Sequence, residues 1–154
     1  MGDAPSLNHV AISMNPEVLD DQGREDILAF YGEVFGWSEG DNTGEEGNPL
    51  ILYTGVLGEF VYLLPGGVSP GGHMVTPRLD HFGVSVKKLD QLHDIVGKAK
   101  AFAERDGRVE IIDVHDRITP GPKDDYRLTS AYIGYLLPLM VELQHFEKVE
   151  RAKG

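Results

Sequence analysis

The chain has 154 residues, a formal charge of −11 and no cysteine, and 41% of its residues are hydrophobic. That length predicts one domain, residues 1–154, able to bury about two-thirds of the surface its unfolded chain exposes. Zero cysteine excludes disulfides, thiolate zinc sites and cysteine nucleophiles, and so acidic a chain is a poor match for polyanions, so no nucleic-acid partner is expected. The opening segment MGDAPSLNHV shows no basic region followed by an apolar one, and no apolar run approaches a membrane span. A cytoplasmic protein with no membrane partner is the expectation. The charge is uneven: residues 1–50 hold eleven acids against Arg24 alone, whereas residues 51–154 hold 14 acids and 13 bases. An acidic, solvated helix and loop in the first third accounts for that asymmetry.

In chain order, Val10, Ile12 and Met14 alternate with His9, Ala11 and Ser13, the period-two pattern of a half-buried strand. Ile27, Leu28, Tyr31, Val34 and Phe35 follow at helical spacing, with Gly36 where a helix would stop. Trp37-Ser38-Glu39 reads as a short strand, Asp41 to Pro49 as a turn-rich loop, and Leu50–Gly55 with Glu59–Leu63 as two further strands. Pro65 to Gly72 is a Pro/Gly linker. Phe82, Val84 and Val86 then alternate with His81, Gly83 and Ser85, followed by a helical stripe of Leu89, Leu92, Ile95, Val96, Ala99 and Phe102, with Gly107 as its expected stop. Val109–Val114, Ser130–Tyr135 and Leu139–Gln144 are the remaining strands, and the tail from Lys148 is expected to fray.

The order strand, helix, strands occurs twice because the chain repeats itself. Leu7-Asn8-His9-Val10-Ala11-Ile12-Ser13-Met14 aligns with Leu79-Asp80-His81-Phe82-Gly83-Val84-Ser85-Val86 at an offset of 72 residues. Leu50–Gly55 and Glu59–Leu63 align with Ser130–Tyr135 and Leu139–Leu143 at an offset of 80. The expected fold class is therefore α+β, with two tandem βαβββ modules at residues 7–68 and 79–147, the helix of each covering the apolar face of its own strands.

The opposite face carries the chemistry. His9 and His81 stand at equivalent points of the two first strands, among small neighbours. Glu142 lies in an apolar strand, where an unpaired carboxylate is costly to bury and calls for a cation. Two neutral imidazoles and one carboxylate form a facial triad, which holds a divalent ion and leaves positions open for substrate oxygens. The first-module counterpart of Glu142 is Tyr62, a poor ligand but a fitting proton donor. Asp113 and His115 alternate onto one side of their strand, so His115 is a second candidate to move a proton. Gln144 shares the face of Glu142 and is placed to orient it, while His73, His93 and His145 read as surface residues. Gly67-Val68-Ser69-Pro70-Gly71 matches the hydrolase elbow pattern, but Pro70 has no N–H for an oxyanion hole, and the match is discarded.

With its LNHVAISM, LDHFGVSV and VELQHFE strands, the chain resembles the vicinal oxygen chelate superfamily over roughly residues 7–147. That superfamily includes glyoxalase I, methylmalonyl-CoA epimerase, extradiol dioxygenases and fosfomycin- and bleomycin-resistance proteins. The resemblance implies paired modules curled into a cup around a metal, with His9, His81 and Glu142 as ligands. It also implies a small-molecule substrate bound through two oxygens and a homodimer with sites shared between subunits. Glyoxalase I and the epimerase have a fourth Glu or Gln ligand where this chain has Tyr62. The His-His-Glu set is instead similar to the extradiol dioxygenases, which favours Fe(II), with Zn, Mn and Ni also compatible. Their local signature is half met: Tyr135 and Pro138 are present, but no histidine lies between Arg117 and Glu142. The implied activity is dioxygenase-like or isomerase/lyase-like. The alternative is a non-catalytic protein that binds an antibiotic or aromatic molecule in the same cup.

Overall fold

The computed structural model describes residues 4–67, 72–77 and 79–150. Its elements run β1 (His9–Met14), α1 (Asp21–Phe35), β2 (Ser38–Glu39), β3 (Leu50–Tyr53), β4 (Phe60–Pro65), β5 (His81–Ser85), α2 (Leu89–Ala103), β6 (Glu110–Pro120), β7 (Asp125–Gly134) and β8 (Met140–Val149). The chain divides into two compact units, Met1–Val75 and Thr76–Gly154. Each contains one four-stranded mixed sheet and one helix, ordered β1-β4-β3-β2 in the first unit and β5-β8-β7-β6 in the second. No described helix is long and apolar enough to cross a membrane. Residues 68–71, which include half of the Pro/Gly linker and most of the discarded hydrolase match, lie outside the described residues, as does the tail from 151.

In both sheets the first strand of the unit pairs in parallel with the last, and the other neighbours are antiparallel. Ile12 sits beside Leu63 and Val10 beside Val61, on the face where Leu50 and Leu52 also lie. Ile27, Phe30, Tyr31 and Val34 of α1 supply the opposing half of this core, all of them buried. Phe30 is more deeply buried than Leu28 and Phe35, the outer members of the expected stripe. In the second unit Val141, Leu143, Ala131 and Ile133 are fully buried under Leu92, Ile95, Val96, Ala99 and Phe102 of α2. Each fully buried aliphatic or aromatic side chain contributes about 1.5–3 kcal/mol of transfer free energy, so these stripes hold each helix on its sheet.

The helix ends differ between units. Asp20 caps α1, its side chain accepting from the Gly23 N–H at 2.8 Å. Gly36, at φ 73°, closes the helix with its N–H on the Gly32 carbonyl, a left-handed conformation that glycine adopts without a Cβ penalty. Trp37 follows outside β2, stacked on Tyr31 at 5.3 Å. The second helix stops without a glycine: Glu104 is its C-cap, in right-handed conformation, so Gly107 is not the terminator the sequence suggested. The turn is set by Asp106, which accepts from the Tyr135 hydroxyl at 2.7 Å and from Arg108. Hydrogen bonds from Arg108 and then Tyr135 hold the Asp106 carboxyl well below the usual carboxylate range.

Two shifts of one residue separate the observed strands from the expected ones. Leu52 pairs with Val61 in the first unit and Ile133 with Val141 in the second, so β3 and β7 correspond at an offset of 81, while β4 and β8 keep 80. In addition, β6 runs on to Pro120, and its register against β7 shifts between Ile112 and His115. Two residues, Asp113 and Val114, there stand opposite one, which is a β-bulge. The last strand is likewise longer than expected and carries Lys148, paired with Asp124 at 2.9 Å.

Replacing Asp20 by Ala removes the side-chain acceptor on the Gly23 N–H, and is expected to lower the unfolding free energy by about 1 kcal/mol, with Asp20→Asn close to wild type. Urea denaturation of the three proteins checks this.

Candidate functional site

The face of the second sheet turned away from α2 gathers the candidate residues of that unit. The parallel register sets Gly83 beside Glu142 and Ser85 beside Gln144, and the antiparallel register sets Tyr132 beside Glu142 and Ser130 beside Gln144. Cross-strand partners share a face, so these side chains form adjacent rows. Gly83 leaves open the space next to the carboxylate, since a Cβ built on it would lie 3.9 Å from Glu142 Oε2.

Glu142 is only 6% exposed. Gln144 donates from Nε2 to Glu142 Oε2 at 2.9 Å, which orients the carboxylate as the sequence pattern suggested. Burial alone would raise the pKa of this carboxyl. The amide of Gln144, the hydroxyls of Tyr132 and Ser130 and the charge of His81 together outweigh it and hold the group below its ordinary value. Tyr132 responds in the opposite sense: burial, and then the adjacent Glu142, keep its phenol protonated.

His81 faces the same carboxylate, with Nε2 at 3.3 Å from Glu142 Oε2. Its Nδ1–H donates to the Leu79 carbonyl at 2.8 Å, so Nε2 is the nitrogen that faces the carboxylate, as an N–H when the ring is protonated and as a lone pair when a metal takes the place of that proton. Two electron-rich atoms at that distance need a proton or a metal cation to join them. Two ligand atoms about 2.1 Å from one ion, at right angles, stand about 3 Å apart, so this donor pair fits a divalent metal. The His81 ring also meets Tyr132 edge-on at 4.9 Å, and His115 lies parallel to Tyr132 at 6.0 Å.

The first unit repeats this frame with different chemistry. Ala11 pairs with Tyr62 as Gly83 pairs with Glu142, so Tyr62 does hold the place equivalent to Glu142. His9 turns Nδ1 to Asn8 Oδ1 at 2.7 Å, so Nε2 is the nitrogen left for another partner, as in His81. Its ring stacks on Phe60 at 4.8 Å. The Tyr62 hydroxyl donates to Glu45 Oε2 at 3.2 Å, from the acidic loop. Burial and then this carboxylate raise the Tyr62 pKa, so the phenol keeps its proton. Among the described residues no group of three or more His, Asp or Glu side chains is arranged to hold a metal. The second unit thus brings His81 and Glu142 together, and His9 stands in the first unit.

The bulge separates Asp113 from His115, which strand alternation had put on one side. Asp113 ion-pairs with Lys100 of α2 at 2.6 Å, while His115 stands against Tyr132 on the other face. His115 Nδ1 lies 3.1 Å from the Asp113 backbone carbonyl, so the carboxylate of Asp113 does not orient the ring. His93 is exposed, as expected of a surface residue, whereas His145 is partly buried with Nδ1 at 3.1 Å from the Val86 carbonyl. Tyr132 and Ser130 were not among the sequence candidates. The signal that could have found them is the hairpin between β7 and β8. Its true register gives Tyr132 the place of Ile51 rather than that of the core residue Leu52.

No protein-family model matches the sequence, and no curated protein matches it significantly. Solved structures do match over nearly the whole chain. A lactoylglutathione lyase from Agrobacterium tumefaciens is 16% identical at a TM-score of 0.54, with 94% of this chain and 96% of that chain covered. A mutant of the fosfomycin resistance protein FosX from Listeria monocytogenes, crystallised with Mn(II) and 1S,2S-dihydroxypropylphosphonic acid, is 16% identical at a TM-score of 0.54, covering 91% of each. A glyoxalase/bleomycin resistance protein/dioxygenase from Nocardioides is 9% identical at a TM-score of 0.56, covering 100% of this chain and 91% of that one. The chain shares the fold of these structures: α+β, built from two units of one helix and one four-stranded mixed sheet.

Because the Glu142 carboxyl is held below its ordinary value, its charge stabilises the folded chain above the unfolded-state pKa, and that contribution is lost as pH falls through the folded-state value. Glu142→Gln should therefore show a shallower loss of stability than wild type between about pH 5 and pH 3. Thermal unfolding across that range measures it.

Proposed function

We propose that the chain is a divalent-metal enzyme acting on a small molecule bound through two oxygens, with His9, His81 and Glu142 as the protein ligands. The observation that carries this reading is the His81–Glu142 pair: a buried carboxylate at 3.3 Å from Nε2 of a histidine whose other nitrogen is already engaged. The third ligand, His9, comes from the first unit of the same chain or of a second copy in a homodimer. An oxygen- and nitrogen-only donor set of this kind suits Fe(II), with Mn(II), Zn or Ni as alternatives. The bound ion would polarise the two substrate oxygens and stabilise negative charge that develops on them.

The remaining groups of the chain have roles that follow from their partners. Gln144 and Tyr132 hold Glu142 in one orientation and keep it ionised, ready to ligate. Tyr62 keeps its proton, which it donates to Glu45; turning that O–H from Glu45 to a substrate oxygen would let it give the proton there and regain one from solvent. His115 stands free of any side-chain acid, one row from Glu142, as a second group able to take or return a proton. Dioxygenase-like and isomerase- or lyase-like reactions both use such an arrangement. The His81–Glu142 donor pair supports an enzyme over the alternative of a metal-free binding protein.

Protein purified without oxygen and loaded with Fe(II) or Mn(II) is expected to hold about one metal ion per chain, with Glu142→Ala and His81→Ala holding roughly a tenth of that or less. Tyr132→Phe should weaken binding by about tenfold, as loss of a ligand-supporting hydroxyl does elsewhere. Elemental analysis and calorimetric titration read both. Absence of metal in the wild-type chain would overturn the reading in favour of a binding protein, and oxygen uptake with catechols would separate the two reaction classes.

A further inference from the structure

On the site face of the second sheet, the bulge exchanges an acid for a base. Up to Ile112 the β6 residues that share this face alternate normally against β7, and continued alternation would bring Val114, Asp116 and Ile118 onto it. The extra residue instead sets His115 beside Ser130 and Arg117 beside Leu128, on the face of Glu142 and Tyr132. Asp116 is turned to the opposite face, where Arg127 Nε lies 3.4 Å from its Oδ2. Bulges next to sites commonly re-aim side chains in this way. The outcome in an otherwise acidic chain is a guanidinium on the site face, two strands from the Glu142 carboxylate.

We infer that Arg117 recognises an acid group at the far end of the substrate, so that the natural substrate is an organic anion whose chelating oxygens lie at His81 and Glu142. The inference rests on the proposed metal site for one end of the molecule and is independent of it for the other. The span is that of a small elongated ligand: Arg117 and Glu142 are separated by about 10 Å across the strands and about 13 Å along them at the backbone, and both side chains shorten that path. Between the two ends, His115 and Tyr132 stand as a stacked pair, with ring centroids 6.0 Å apart and planes within 2° of each other. Arg117 has no ion pair with any described residue, and it acts on the Tyr132 phenol at a distance, opposing the effects of burial and of Glu142. A guanidinium there can offer two parallel N–H groups to a carboxylate, which a neutral ester cannot use equally.

The test is a matched pair of probes, 3-(3,4-dihydroxyphenyl)propionate and its methyl ester, titrated calorimetrically without oxygen into the Mn(II)-treated full chain. Wild type should bind the acid about tenfold more tightly than the ester. Arg117→Ala should remove that preference while leaving ester affinity unchanged, Arg117→Lys should keep part of it, and added salt should shrink it. Arg117 is exposed on an edge strand, and thermal unfolding of each variant verifies that it folds. Equal binding of the two probes by wild type, a preference that survives in Arg117→Ala, or no binding of the acid overturns the inference. Manganese is counted in the same samples. A chain that retains no metal yet prefers the acid through Arg117 supports the inference and removes the metal reading, whereas one that holds metal and binds both probes alike does the reverse.

Discussion

The chemistry of the second unit depends on keeping one carboxylate charged inside a nearly closed environment. Burying Glu142 costs several kcal/mol unless its oxygens are answered. The answer comes from four side chains: Gln144 along its own strand, Tyr132 and Ser130 from the neighbouring strand, and His81 from the parallel strand on the other side. The last three are there because of strand register. A single-residue slip in either pairing would replace a donor with a core aliphatic group and leave the charge unanswered.

That same frame is used in the first unit for a different end. Where the second unit has a strand carboxylate beside glycine, the first has Tyr62 beside alanine, and a carboxylate reaches the position only by way of the Glu45 loop. The acidity of the first fifty residues is thus not wholly a solvated surface: one member of the loop is tied to a residue at the repeat-equivalent site. At this repeat-equivalent place the first unit has a proton-holding phenol where the second has a carboxylate.

Much of this architecture was legible before any coordinates. The alternation of the first strands, the helical stripes and the internal repeat specify which faces are apolar, and those faces are the ones buried. The histidines and Glu142 stood out because polar residues interrupt apolar patterns at repeat-related positions. Illegible were the features that depend on pairing between strands. The offset of 80 is the better sequence match, yet hydrogen bonding with β4 and β8 sets 81 for the third strand, and this hid Tyr132 behind an apparent core position. Nor does any residue type in Asp113-Val114 announce a bulge, so alternation joined Asp113 to His115 when Lys100 claims the acid on the other side.

Length, composition and the absence of cysteine by themselves determined that any metal here must be held by nitrogen and oxygen, and the repeat determined the fold class and the two histidines and carboxylate worth testing. Such properties are local or additive along the chain. Only the tertiary structure decided which side chains answer Glu142, which His81 nitrogen faces it, and that Arg117 rather than Asp116 shares the site face. Those depend on register, where one inserted residue turns every later side chain of a strand to the other side, and register is settled between strands rather than within one.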